Sequence, residues 1–199
     1  MLHSSFNYLS TATIQEYLNA AQVCLTPSND GNNGVYGMAA LVLLCASMDA
    51  IGSYYKKDPN DNSKYVFDSN VDLNKVGSKV NEHFKAIYSE FFSNKQDFPE
   101  IASLDEGTFI SLIYKSTRNK ATHNAVIIDK LSYDNSKTVL YEADTNNNKI
   151  LYINVLYGCV NNAFEMFRQM HPELTSQTTG NTTPSLTGAT SNPPIQQTK

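Results

Sequence analysis

Arginine is nearly absent from this chain, and basic charge as a whole is in the minority. Of 15 basic residues only Arg118 and Arg168 are Arg, and 19 Asp and Glu leave a net charge of −4. A protein that coats nucleic acid non-specifically is usually basic. Any contact with RNA or DNA must therefore run through a local site, and each Arg needs separate weighing. Cysteine is scarce and odd in number: Cys24, Cys45 and Cys159, all in apolar helical context. No CxxC, Cys/His cluster or HExxH is present, so neither a disulfide framework nor a zinc site is expected. Three reduced, buried thiols in a reducing compartment are the expectation.

Long apolar runs are missing too. The most apolar stretch, Met38–Ile51, is broken by Ser47 and Asp49 and is shorter than the roughly 20 residues a bilayer span needs. Met1–Phe6 lacks the basic and apolar regions of a secretory signal. A soluble, cytoplasmic protein with no membrane partner and no cofactor or metal is the expectation.

The 199 residues suffice for one domain with an appendage. The segment 172–199 holds eight Thr, three Ser and four of the seven Pro, with few large apolar side chains. Such a composition cannot bury enough surface to offset its ordering entropy. It predicts a disordered tail behind a domain of residues 1–171.

Within the domain, apolar spacing predicts a mainly α fold of about five helices. The first covers Thr13–Cys24. The second, from about Val35 to Lys56, is apolar nearly all round and belongs at the centre of a bundle. The third runs from about Leu73 to Phe92 on a stripe of Val76, Val80, Phe84, Ile87, Tyr88 and Phe91. The fourth begins at a Ser103–Glu106 capping box and reaches about Thr122. Short β-branched and aromatic runs at 126–128, 138–141 and 150–153 predict a small antiparallel hairpin or meander within about 125–153. A last helix, Asn154–Met170, turns Val155, Leu156, Cys159, Val160, Ala163, Phe164 and Phe167 inward.

Four His are available for chemistry: His3, His83, His123 and His171. His3 and His171 flank the domain and are expected in solvent. His83, among Asn81, Glu82 and Lys85, reads as polar surface. His123 stands apart, because Arg118 precedes it by five positions. Asn119 and His123 share a helix face at i, i+4, so the Asn amide can set the imidazole tautomer. Tyr114 and Arg118 share a neighbouring face. On an α-helix Arg118 and His123 lie about 140° apart, so they converge only where the helix end unwinds or where both border a groove between subunits.

Arg118-Asn119-Lys120-Ala121-Thr122-His123 resembles the signature of the HEPN superfamily, R-x4–6-H with a polar residue after the Arg. Leu112–Thr117 is similar to the segment that often precedes it, and Gly37–Tyr55 to the long buried helix of bacterial members. The resemblance spans roughly residues 35–170. It implies an up-and-down helical bundle and a metal-independent endoribonuclease working at a two-fold dimer interface. It further implies a place in bacterial defence, abortive infection or a toxin–antitoxin pair, with RNA as substrate and an antitoxin or inhibitor protein as partner. In that reading His123 is the general acid or base and Arg118 holds the scissile phosphate, and the products carry a 2′,3′-cyclic phosphate and a 5′-hydroxyl. Some toxins are silenced by nucleotidyl transfer to a Tyr two residues after the His. Ala125 stands at that position, so such silencing is not expected.

Two further readings of the Arg118–His123 pair stand beside this one, and a separate reading makes the chain a plain interaction protein whose Ser/Thr/Pro-rich tail tethers a partner. In the first, the bundle binds a nucleotide, an RNA or a partner protein without cutting, with Arg118 as phosphate anchor. In the second, Arg118 forms a salt bridge with Asp49 or Asp129, and His123 caps a helix C-terminus. Asp49 itself interrupts an apolar helix. Either it orients Arg118 or His123, or it faces solvent beside Lys56 and Lys57. Tyr54 and Tyr55 are expected in core packing, with base stacking as the alternative.

Overall fold

The computed structural model describes residues 2–27, 35–68, 80–101, 104–118, 130–145 and 149–174. These residues form a mainly helical protein with two small sheets. Helix α1 spans Leu2–Leu25 and α2 spans Gly37–Gly52. A hairpin follows, β1 (Tyr55–Lys57) and β2 (Tyr65–Phe67), paired antiparallel. Helix α3 spans Val80–Ile87 and continues as a π-helical turn over Tyr88–Phe92. A 3₁₀ turn at Pro99–Ile101 leads to α4 (Glu106–Phe109), which continues as π-helix from Ile110 to Arg118. Strands β3 (Lys130–Ser132), β4 (Tyr141–Ala143) and β5 (Lys149–Tyr152) form the second sheet. Helix α5 (Ile153–Met170) and a 3₁₀ turn at Pro172–Leu174 close the described chain.

Helix α2 is the centre, as its apolar circumference predicts. Ala40, Leu41, Leu44, Met48 and Ile51 are fully buried, and α1, α3 and α5 all pack on it. The one hydroxyl in this stretch, Ser47, donates back to the Leu43 carbonyl at 2.9 Å, so its burial leaves nothing unsatisfied. Ile14, Leu18, Ala21 and Leu25 form the buried stripe of α1. All seven residues expected to face inward on α5 are buried. Two of the thiols, Cys45 and Cys159, are buried, Cys24 is half-buried, and all three are free. Burial pushes the Cys159 thiol up to about 12, which makes it an inert packing group.

Several expectations are corrected. Helix α1 starts at Leu2 rather than near Thr13, since no Gly or Pro interrupts residues 2–12. Helix α2 stops at Gly52, not Lys56, because Tyr55–Lys57 leave it to pair with Tyr65–Phe67. The Asp58–Asn62 stretch lies in the hairpin loop. Asp58 and Asp61 side chains accept from the Asn60 and Ser63 amides there. Helix α4 is capped by Asp105, which accepts from the Thr108 amide at 2.7 Å. Ser103, the expected cap, lies outside the described residues.

The sheet before the last helix is not an antiparallel meander. Its order is β3-β5-β4, with β5 parallel to β3 and antiparallel to β4. Strand β5 carries the two buried residues of the sheet, Leu151 and Tyr152, and takes the central place for that reason. The expected strand at 126–128 lies outside the described residues. Chain packing also continues past residue 171. Leu174 is buried, and its carbonyl accepts from Thr11 Oγ1 of α1 at 3.4 Å. Residues 175–199, the rest of the expected tail, lie outside the described residues. No described helix is long and apolar enough to cross a membrane.

Candidate functional site

The best-defined polar constellation lies where α2, α3 and the β1–β2 hairpin meet. It begins with a glycine. Gly52 faces α3 so closely that a Cβ there would sit 2.2 Å from the His83 carbonyl oxygen. Only a residue without a side chain permits this approach. Asp49 lies one turn earlier on the same face of α2 and meets His83 across the junction. Its Oδ1 is 2.7 Å from His83 Nδ1. The carboxylate accepts from Nδ1–H, which leaves Nε2 as the ring nitrogen open to a second partner. The His83 side chain is 9% exposed and that of Asp49 21%.

His83 also lines a cavity of about 330 Å³ together with Tyr55, Lys56, Lys57, Tyr65 and Glu82. The Glu82 carboxylate organises its rim. Tyr65 donates to Oε2 at 3.0 Å, Lys85 to Oε1 at 2.9 Å, and Lys57 stands 3.7 Å from Oε2. Burial alone would raise the Glu82 carboxyl. The hydrogen bonds from Lys85 and Tyr65 and the charges of Lys85 and Lys57 outweigh it and hold the group below its ordinary value. Burial and the Glu82 contact together push the Tyr65 phenol upward. Lys56 is matched separately by Asp68 at 2.9 Å.

Behind the hairpin an aromatic cluster fixes it to the last helix. His171, at the end of α5, stacks on Phe67 with ring centroids 3.6 Å apart. Its Nε2 lies 3.3 Å from Tyr55 Oη, and its Nδ1 lies 3.5 Å from Glu173. Burial pushes the His171 imidazole below its ordinary value, opposed by the charge and hydrogen bond of Glu173. Tyr54 and Tyr55 are both buried, stacked or edge-on against Phe67 and Phe167. They pack the core, as expected.

Two histidines thus differ from their sequence reading. His83 is not surface but a buried partner of Asp49, and His171 is not solvated but stacked. Polar neighbours at 81, 82 and 85 hid the first. The available signal was that Asp49, lone in an apolar helix, required a partner. The partner it takes is His83, so it does not simply face solvent beside the lysines.

Of the other candidate residues, Tyr114 is half-buried and packs on Phe84, the neighbour of His83, with centroids 5.4 Å apart. The helical run bearing Tyr114 contacts both α2 and α3. Arg118 ends that run. Its side chain, together with Asn119 and His123, lies outside what the structure describes, as does Asp129. Among the described residues no group of three or more His, Cys, Asp or Glu is arranged to hold a metal. No protein-family model, no curated protein and no solved structure matches the chain.

Proposed function

We propose that the chain is a HEPN-type, metal-independent endoribonuclease whose Arg118–His123 pair acts at the interface of a homodimer. On this reading it serves as the effector of a bacterial defence or toxin–antitoxin system, restrained by an inhibitor protein. The observation that carries the proposal is the Arg118-Asn119-x3-His123 spacing directly after a core-anchored helical run. Phe109, Ile110, Leu112 and Ile113 of that run are buried. Such anchoring lets a guanidinium and an imidazole just beyond it be held in fixed relation, which a transition-state clamp requires.

In the reaction, the 2′-oxygen bonds to phosphorus as its proton passes to one imidazole. The bond from phosphorus to the 5′-oxygen breaks as that oxygen takes a proton from the imidazole of the second subunit. Arg118 offers a bidentate fork to the non-bridging oxygens, where charge grows. The test is cleavage of mixed RNA by purified protein in the presence of a chelator, with end-group analysis. Wild type should leave cyclic phosphate and 5′-hydroxyl ends, and Arg118→Ala or His123→Ala should each lower the rate by about 10²- to 10⁴-fold. Equal cutting by the variants, or none by wild type freed of co-purifying protein, would overturn the proposal.

A further inference from the structure

We propose that the cavity between the β1–β2 hairpin and α3 is a nucleotide subsite, with His83 at its floor, Tyr65 as its wall and Lys57 at its mouth. The choice of a nucleotide rests on the ribonuclease reading above; the existence of a ligand site here does not. A volume of about 330 Å³ falls at the lower end of the range of small-molecule pockets. Three features of different chemistry converge on it.

The first is a ring nitrogen left open to a second partner. Asp49 occupies Nδ1 of His83, so Nε2 is the nitrogen able to accept from a base N–H. The second is a pinned aromatic ring. Tyr65 is half-buried and its phenol is tied to Glu82 at 3.0 Å, which fixes the ring for stacking. The third is an accessible cation. Lys85 is bonded to Glu82 and also faces the charge of Glu106, and Lys56 is matched by Asp68, which leaves Lys57 as the lysine least committed to a carboxylate. Lys57 is the loosely held member, 3.7 Å from a carboxylate already bonded by Lys85 and Tyr65, and its side chain is 47% exposed. A ring with a donor edge and an attached phosphate satisfies all three at once. The site carries no chemistry of its own. It would seat a base of the RNA strand while Arg118 and His123 act elsewhere on it.

The test is titration of His123→Ala protein, which on the proposed mechanism cuts about 10²- to 10⁴-fold more slowly. Adenosine 5′-monophosphate, adenosine and benzoate serve as probes, read by calorimetry and by the ¹⁵N shift of the His83 ring. The monophosphate should bind and move the Nε2 resonance. Adenosine should bind roughly fivefold more weakly, the size of one exposed ion pair. Lys57→Ala should erase the difference between them without loss of fold, since the residue is on the surface. Tyr65→Leu should weaken both by about tenfold. If the monophosphate leaves the His83 resonance unmoved, or if Lys57→Ala leaves its affinity unchanged, the subsite is wrong. Benzoate binding as tightly as the monophosphate would reject the nucleotide. Because cleavage is never measured, failure of this site and failure of the nuclease proposal are read separately.

Discussion

The two small sheets are built from strands of three or four residues each, yet the balance of what holds them differs. The β1–β2 hairpin is backed by rings: Tyr54, Tyr55, Phe67, Phe167 and His171 interlock behind it. The β3-β5-β4 sheet is fastened at its surface by charge. Lys137 reaches Glu142 at 2.7 Å and lies over the Tyr152 ring, Tyr152 donates to Glu142 at 2.9 Å, and Lys130 meets Asp144 at 2.8 Å. Ring packing removes apolar area from water and survives salt. Exposed ion pairs contribute little and are screened. A protein that must keep a cavity open beside a sheet needs the first kind of support.

The contrast can be broken from the hairpin side first. Phe167→Ala removes the ring shared by Tyr54, Tyr55, Phe67 and His171 and should cost about 3–5 kcal/mol in denaturant unfolding. Gly52→Ala comes next, at about 1–3 kcal/mol, because the new methyl meets backbone rather than a side chain that can swing away. It should also part Asp49 from His83, visible as a shift of the His83 ring nitrogens. A smaller effect comes from acid. The folded imidazole of His171 is depressed below the ordinary value of 6.5, so the unfolded chain takes the proton first as pH falls. Its contribution is complete above pH 6.5 and is lost as pH drops through the lower folded value. Thermal melts between pH 7.5 and 5 should show this loss, and His171→Phe should flatten it. Smallest of all, Lys137→Ala should leave the melting temperature unchanged within error and lower the salt dependence of the mixed sheet, the remainder resting on Lys130 and Asp144.

Much of the helical frame was legible in the chain. The 3.6-residue stripe of α5 and the apolar circumference of α2 name their own buried residues. What escaped was set by partners far away in sequence. The hairpin formed because Tyr55–Lys57 found Tyr65–Phe67, and no helix-stop signal reveals that pairing. His171 stacks on a ring more than one hundred positions earlier. Strand β5, the most buried of the three, takes the middle of its sheet between a parallel and an antiparallel neighbour, an order that local alternation does not encode. In the candidate site, Asp49 read either as a partner of Arg118 or His123 or as a solvent-facing carboxylate, and the partner the fold gives it is His83.

The π-helical run ending at Arg118 carries one more implication. Its hydrogen bonds close over five residues instead of four, so it holds one residue more per winding than the flanking α4 geometry accommodates. Deleting a single residue between Ile110 and Thr117 would remove surplus chain and let the segment tighten toward ordinary α-helical pitch. Chain length in this stretch therefore sets the winding of the helix that leads to Arg118, independently of any substitution at the arginine itself.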